Sequence, residues 1–322
     1  MKFKHTVQVF IDNFSVTYKQ LLYRLVILLV AAGLYAAVCI PFINSLTGSP
    51  DYVSLISGIK AFVNNFLEGK ISEIGEASAQ IKHAFDALLR LVAENREQIA
   101  WGIVGCVAIY LVQKFFEGLG NYATTAVIND KMALHANSPF MVTLLHNFKS
   151  AALYSLIYSP ISFIYDALCW LGMYFVIFRL LSLILVPLPI QIFLYVTAII
   201  VIATVKMTFT SDWMPALIRG KMKQKEAFLY TFDRRRKQSF NVFSNYVVLV
   251  LIIFAVNVGG ALCTFGAALL ITVPSSYVIL VCFECVNYFD REELKYFIDK
   301  YTIIKPEKER TVTREEFFKG EQ

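Results

Sequence analysis

Two acidic residues stand inside long apolar stretches, where few other side chains could do chemistry. Asp166 and Glu284 are the only charged residues of two such stretches. Ionisable groups within membrane segments are costly to bury and are therefore functional candidates by default. A proton- or ion-coupled transporter could use both acids. Each could instead pair with Asn257, Gln191 or a backbone group, and we favour this structural or interfacial role.

A second feature with chemical potential is the segment CFEC at 282–285, which places two thiols beside Glu284. A zinc site of this type needs a second pair of ligands. The sequence offers no such pair, because its histidines are scattered outside the apolar segments: His5, His83, His135 and His146. No P-loop, HExxH or nucleophile-elbow motif is present. We predict no metal site and no cofactor, and we disfavour an enzyme.

The elements that must hold these acids are membrane helices. Of the 322 residues, 57% are hydrophobic and only 17% are charged, against about a quarter charged in a soluble domain. The apolar residues form blocks of about 20 or more, which is the length of a transmembrane helix. We predict an all-α, polytopic six-helix transmembrane bundle with spans near 22–46, 99–117, 151–177, 184–207, 240–260 and 265–288.

The distribution of basic residues orients these spans. The loop between the fourth and fifth spans is the most basic of the chain, and the positive-inside rule places it in the cytoplasm. Both termini then lie on the same side, in a bacterial plasma membrane. The charge of this loop also suggests docking to anionic lipids or to a protein partner. We favour the alternative that its basic residues serve only to orient the spans. These residues are Arg219, Lys221, Lys223, Lys225, Arg234, Arg235, Arg236 and Lys237.

The net charge of +6 does not indicate nucleic-acid binding, because most of the excess sits in that single loop. No cleavable signal peptide is expected, since the first apolar block begins only after about 24 residues and is longer than a signal sequence requires. The six cysteines all fall in apolar segments, which argues against a disulfide framework.

The segment 47–98 forms an extracytoplasmic insert in this topology. Gly69 lies near its middle, and we predict one helical hairpin, with a helix before this residue and a helix after it. The second half repeats apolar residues at intervals of three and four, the spacing of a coiled-coil seam. We favour packing within the hairpin over association with another chain through 71–92. The seam residues are Ile71, Ile74, Ser78, Ile81, Phe85, Leu88 and Val92.

A short segment occurs twice. ALIRGKM at 216–222 shares four of seven residues with AVINDKM at 126–132. We interpret the two regions as copies of one unit, an amphipathic linker followed by a helical hairpin. The match continues 88 positions apart in Phe140 and Phe228, Thr143 and Thr231, and Lys149 and Lys237.

The first 21 residues also have an amphipathic pattern. We predict that 1–21 is an interfacial helix preceding the transmembrane domain 22–288, and that 289–322 is a cytoplasmic tail. The apolar face of the helix holds Phe3, Val7, Phe10, Ile11, Phe14, Tyr18, Leu21 and Leu22.

The segment WMPALIRGKMKQKEAFLYTF, followed by a span, is similar to a segment of uncharacterised bacterial multi-span proteins related to the glycerophosphodiester phosphodiesterase membrane domain family. In that family an amphipathic linker with a proline precedes a hydrophobic hairpin. Here the likeness is carried by Pro215, Ala216, Leu217, Ala227 and Phe228. The resemblance implies the linker-and-hairpin arrangement. It implies no activity, since the soluble phosphodiesterase domain has no counterpart in this sequence.

Three functional hypotheses follow. The leading one is membrane transport, or an accessory membrane subunit without catalysis. A membrane-embedded lipid-modifying enzyme is the second. The third is a scaffold that recruits partners through the basic 219–237 loop and the 52–98 hairpin. A transporter requires a polar, water-accessible site that reaches Asp166 or Glu284, whereas a scaffold does not.

The topology makes a direct prediction. In intact cells, a membrane-impermeant maleimide should label single cysteines placed at positions 60–95 and should not label those placed at 219–237, because only the first group faces outwards. Labelling is read from the modified protein after purification. Modification of the second group in unbroken cells would refute the six-span topology.

Overall fold

The described part of the chain is almost entirely helical, as its apolar pattern predicts. The computed structural model describes residues 2–178, 188–233, 239–299 and 301–305. The helices are α1 Lys2–Asp12, α2 Ser15–Thr47, α3 Pro50–Leu67, α4 Ile71–Glu94, α5 Arg96–Leu134, α6 Phe140–His146, α7 Phe148–Gly172, α8 Leu188–Thr210, α9 Trp213–Ile218, α10 Gln224–Asp233, α11 Ser239–Cys263 and α12 Leu269–Arg291. A π-helical turn, Met173–Phe178, follows α7.

After α12 the chain forms a small antiparallel pair, β1 Tyr296–Phe297 and β2 Ile303–Ile304. In the described part of the chain, six helices are long and apolar enough to cross a membrane. The predicted all-α, six-helix fold is therefore confirmed, and the chain has the character of a multi-pass membrane protein. The six candidate spans are Ser15–Pro41, Ile99–Leu134, Phe148–Phe175, Phe193–Ile218, Phe240–Cys263 and Leu269–Arg291.

The second span differs most from its sequence-based boundaries. We expected it to end at residue 117, where Lys114 and Glu117 interrupt the apolar run. The helix α5 instead continues to Leu134. Its first half exposes apolar side chains, whereas most residues from Leu119 to Met132 are buried. Burial among other helices replaces lipid as the apolar environment, so the helix does not need a continuous hydrophobic run.

The change in span 2 also relocates the first repeated segment, 126–132. It is the end of α5 rather than a linker after a span, and Ile128 and Met132 are 0% exposed. The second copy begins in the short helix α9 and continues past it. The two regions meet where the Thr125 hydroxyl donates a hydrogen bond to the Met214 sulfur at 3.6 Å.

The main core gathers around Trp213, which is 1% exposed. Its indole ring packs against Tyr154 at 5.0 Å and Phe228 at 4.9 Å between ring centroids. Such edge-to-face aromatic contacts stabilise beyond the area that they bury. The core thus joins the beginning of α7 to α9 and α10.

Glycines let α5 approach its neighbours. A side chain at Gly120 would lie 2.4 Å from the Tyr23 ring, and one at Gly118 would lie 2.6 Å from the Ser155 hydroxyl. Small residues at helix interfaces allow the close backbone approach on which membrane helix packing depends. Beside these contacts, Arg24 donates a hydrogen bond to Asn121 at 2.8 Å.

The N-terminal helix and the start of α2 bury a stripe of mixed polarity. Its buried residues are Thr6, Val9, Asn13, Val16, Thr17 and Gln20. Part of the predicted apolar face is exposed, namely Val7, Ile11, Tyr18 and Leu22, and so are the polar residues Lys4, Asp12, Ser15 and Lys19. Phe3 and Phe10 of the same predicted face pack on the protein core instead.

Residues 27–113 form a compact unit of their own. Within it α3 and α4 pack as the predicted helical hairpin around Gly69, whose φ of +72° suits glycine. Most seam side chains of 71–92 lie outside the described side chains. The α2 and α5 portions of this unit meet at Cys39 and Cys106, whose sulfur atoms are 3.9 Å apart.

Two glycines of α5 predict opposite responses to the same substitution. Gly118→Ala places a methyl group 3.0 Å from the Ser155 Cβ and 3.3 Å from its Cα, and this overpacking should destabilise the protein by about 1–3 kcal/mol. A methyl group at Gly102 would meet no neighbouring atom within 4 Å. Gly102→Ala should therefore be neutral or stabilising by up to about 1 kcal/mol.

The measurement is thermal unfolding of the detergent-solubilised variants. A decrease in Tm for Gly118→Ala beside an unchanged or raised Tm for Gly102→Ala supports the close approach of α5 and α7. Equal effects of the two substitutions would contradict it.

Candidate functional site

Asp166, predicted as an intramembrane acid with a polar or backbone partner, forms an ion pair. The Lys206 ammonium on α8 lies 2.7 Å from Asp166 Oδ1 and 2.9 Å from Oδ2. Neither Asn257 nor a backbone group is its principal partner, and the side chain of Gln191 lies outside the described residues. An uncompensated charge in an apolar medium is costly, and the pair removes much of that cost.

The serine one helical turn before Asp166 completes the surroundings of the ammonium group. Lys206 donates to the Ser162 hydroxyl at 2.6 Å, and that side chain is 2% exposed. The ammonium group has three N–H donors, and three acceptor oxygens surround it. Ser162 and Asp166 share one face of α7 because residues four apart are neighbours on a helix.

Tyr165 connects the same two helices on the other side of the pair. Its hydroxyl donates to the Ile202 carbonyl at 2.8 Å, and its ring centroid lies 5.8 Å from the Lys206 nitrogen. A cation at this distance from an aromatic ring is attracted to the ring face. Several side chains of α7 therefore hold Lys206 in one position.

Further ionisable groups surround this pair. Lys114 and Glu117 form a second ion pair at 2.9 Å on α5, and the Lys114 charge acts on Lys206. Tyr158 hydrogen-bonds with Ser162 and lies within electrostatic reach of three carboxylates. Those carboxylates are Glu117, Asp166 and Glu284. We call the set Lys114, Glu117, Tyr158, Ser162, Asp166, Lys206 and Glu284 the charged cluster.

Glu284, the second predicted acid, joins the charged cluster through its electrostatic interaction with Tyr158. It also acts electrostatically on Tyr154, in the aromatic core. The thiols of the CFEC segment, Cys282 and Cys285, are buried on either side of Glu284. In the described ranges, no group of three or more His, Cys, Asp or Glu residues could hold a metal ion.

Asn257, which we considered as a partner for the acids, has a different role. Its amide donates to the Ser276 hydroxyl at 3.0 Å, and its carbonyl accepts from Thr272 at 2.7 Å. These bonds join α11 to α12 on one side of the hairpin turn. Asn257 thus serves helix packing.

Of the charged cluster, the sequence predicted only Asp166 and Glu284, and the most important residue that it missed is Lys206. Its place near a predicted span end suggested that its side chain reaches the interface. A usable signal was present, because Asp166 and Lys206 each lie 20 positions from Val186, at the start of VPLPI. Residues equidistant from the tip of an antiparallel hairpin lie at similar depth, so the two opposite charges were positioned to meet.

The predicted basic docking residues divide into four groups. The Arg219 guanidinium lies 5.5 Å from the Phe289 ring centroid, where it packs on the end of α12. Lys221 is exposed with a φ of +48°, and Lys223 and Lys225 line a cleft at the beginning of α10. Arg234, Arg235, Arg236 and Lys237 lie outside the described residues.

A buried ion pair anchors this region to the last span. Arg291 Nη1 lies 2.5 Å from Asp212 Oδ2, and the Asp212 side chain is 1% exposed. Tyr230 of α10 donates a hydrogen bond to Glu292, next to Arg291. The loop after α9 also packs closely against α12, since a Cβ atom at Gly220 would lie 2.9 Å from the Tyr288 hydroxyl.

The N-terminal helix joins the same end of α12. Lys2 donates to the Asn287 side chain at 2.8 Å, and burial lowers the pKa of its ammonium group against the opposing charge of Asp290. Tyr296 donates to Asp290 at 2.8 Å and contacts His5 at 2.9 Å. The first part of the predicted tail is thus packed against α1.

No family model, no curated protein and no solved structure matches this chain. Function must therefore be argued from the charged cluster and the cleft.

The Asp166–Lys206 pair predicts strong non-additivity. Lys206→Met leaves a carboxylate without its cation, and Asp166→Asn leaves an ammonium group without its anion. Either change should destabilise the protein by up to about 3 kcal/mol, the lower end of the range for breaking a buried pair. The double variant Asp166→Asn/Lys206→Met should recover more than half of that loss.

Thermal unfolding in detergent measures these differences. The matched control is the exposed Glu68–Lys70 pair, with side chains 57% and 52% exposed. Lys70→Met should leave Tm unchanged, because exposed pairs contribute little. Additive losses in the double variant would show that Asp166 and Lys206 do not interact.

Proposed function

We propose that this protein is a proton- or cation-coupled transport protein of the bacterial plasma membrane, with both termini in the cytoplasm. The charged cluster is its coupling site, and Asp166 is the group that exchanges the proton or cation. The observation that carries the proposal is the Asp166–Lys206 ion pair, which lies between two candidate spans. Acids paired in this way within membrane segments are typical of ion pathways and proton relays.

The charge balance of the cluster supports cation coupling. It contains two cationic residues, Lys114 and Lys206, against three acidic ones, Glu117, Asp166 and Glu284. With every group ionised, the cluster carries one excess negative charge. Uptake of one proton or monovalent cation would neutralise it, which lowers the cost of holding the cluster in an apolar environment.

The geometry links the charge of Asp166 to the position of Lys206. With Asp166 ionised, Lys206 is held by both carboxylate oxygens and Ser162. Neutralising Asp166 removes the charge that holds the ammonium group, which weakens this contact between α7 and α8. An ion thus has a differential interaction with two arrangements of these helices, as coupling requires. The Tyr158 and Ser162 hydroxyls supply a hydrogen-bonded path beside the pair.

Water access to Ser162 is the discriminating test, because a coupling site must open to one side of the membrane. In a variant without native cysteines, Ser162→Cys should react with a membrane-impermeant, cationic thiol reagent. Asp166→Asn in the same background should change the reaction rate, because it alters the equilibrium between paired and released Lys206. Mass spectrometry of the purified protein reports the modified fraction.

The control is Leu168→Cys on the same helix, whose native side chain is 64% exposed on an apolar surface. A lipid-facing thiol should not react with the charged reagent. Reaction of Ser162→Cys only after denaturation would refute the coupling site and leave the ion pair a static connection between α7 and α8.

A further inference from the structure

We propose that the cleft between the beginning of α7 and the beginning of α10 binds the headgroup of an anionic phospholipid. Its volume is about 460 Å³. Three lysines line it, Lys149 from α7 and Lys223 and Lys225 from α10 and the residue before it. The site is separate from the charged cluster and does not depend on transport.

The charge of the cleft is unbalanced. Its lining contains no acidic residue, and none of the three lysines forms an ion pair with a carboxylate in the part of the chain that the structure describes. Three like charges in one concave site repel one another. A bound anion with a charge of −1 or more removes that repulsion.

Helix geometry adds to the positive potential. Lys149 is the second residue of α7, and Lys225 is the second residue of α10. The first turn of a helix carries a partial positive charge and backbone N–H groups that bind phosphate. The first turn of α7 contains no acidic residue, whereas at α10 the Glu226 carboxylate already accepts a hydrogen bond from the Lys223 N–H at 3.2 Å. The backbone contribution to anion binding therefore comes from α7, and α10 contributes its lysine side chains.

Neutral polar groups complete the lining. Tyr122 hydrogen-bonds with Ser150, and the Gln224 amide donates to the Ser150 carbonyl at 3.2 Å. The Gln224 side-chain oxygen is buried and has no hydrogen-bond partner among the described residues. A hydroxyl of a glycerol headgroup would supply the missing donor, which favours phosphatidylglycerol.

An apolar surface leads away from the cleft, which distinguishes a lipid from free phosphate. Leu153 lines the cleft and is 49% exposed, and Leu156 beyond it is 63% exposed. Both belong to the span Phe148–Phe175, in which Lys149 is the second residue. A phosphate held by the lysines lies at the end of this span, and an acyl chain can extend along the two leucines.

The variant that tests the site is Lys149→Gln/Lys223→Gln/Lys225→Gln in the full chain. The delipidated protein in neutral detergent is titrated with phosphatidylglycerol, and bound lipids are counted by native mass spectrometry. We expect at least a tenfold weaker affinity for the first bound phosphatidylglycerol. The matched control, Lys4→Gln/Lys19→Gln/Lys60→Gln, removes the same charge from exposed positions outside the cleft and should change the affinity less than twofold.

Two further titrations identify the ligand. Phosphatidylcholine should bind at least tenfold more weakly than phosphatidylglycerol, and inorganic phosphate at the same concentration should not displace the bound lipid. Equal losses in the two triple variants would show that the attraction is a property of total charge, which refutes the site. Equal binding of phosphatidylcholine, or displacement by inorganic phosphate, would refute an anionic lipid as the occupant.

Discussion

The buried ion pair between Asp212 and Arg291 determines how the ends of several helices are joined. It connects the residue before α9 to the last residue of α12. Desolvating both charges offsets much of their attraction, so the pair is weak evidence for stability. The pair does fix the relative position of the two segments, since either charge without its partner would remain buried and uncompensated. The packing of Trp213, of the loop at Gly220 and of Tyr230 all involves residues close to this contact.

The described polar groups of the molecule follow two different physical arrangements. In the charged cluster, Lys206 is surrounded by acceptors, and its energy depends on the ionisation of Asp166. In the cleft, the lysines have neighbours of their own sign and no acidic residue in the lining. We propose that the first arrangement responds to a proton or cation and the second to an anion, at different positions along α7.

Much of this architecture follows from sequence because the membrane imposes a simple constraint on helix length and polarity. The six spans, the α3–α4 hairpin and the place of Asp166 within a span were all predictable. The continuation of α5 past Glu117 was not predictable, because its second half is surrounded by other parts of the protein rather than by lipid. Lys206 was misjudged because hydropathy describes one helix at a time, whereas its partner lies on another. The cleft depends on Lys149, Lys223 and Lys225 meeting from two segments, which no local pattern reveals.

The contact between α1 and the end of α12 has a consequence for biogenesis. Lys2 and its partner Asn287 are separated by 285 positions, so the first helix to leave the ribosome waits for one of the last. At synthesis rates of about 5–20 residues per second, this delay is about 15 to 60 s. During it, the side of α1 that buries Thr6 and Val9 lacks its partner in α12. The contact between α1 and the end of α12 thus forms late. Mutations in residues 283–296 are therefore expected to affect the packing of residues that are synthesised first.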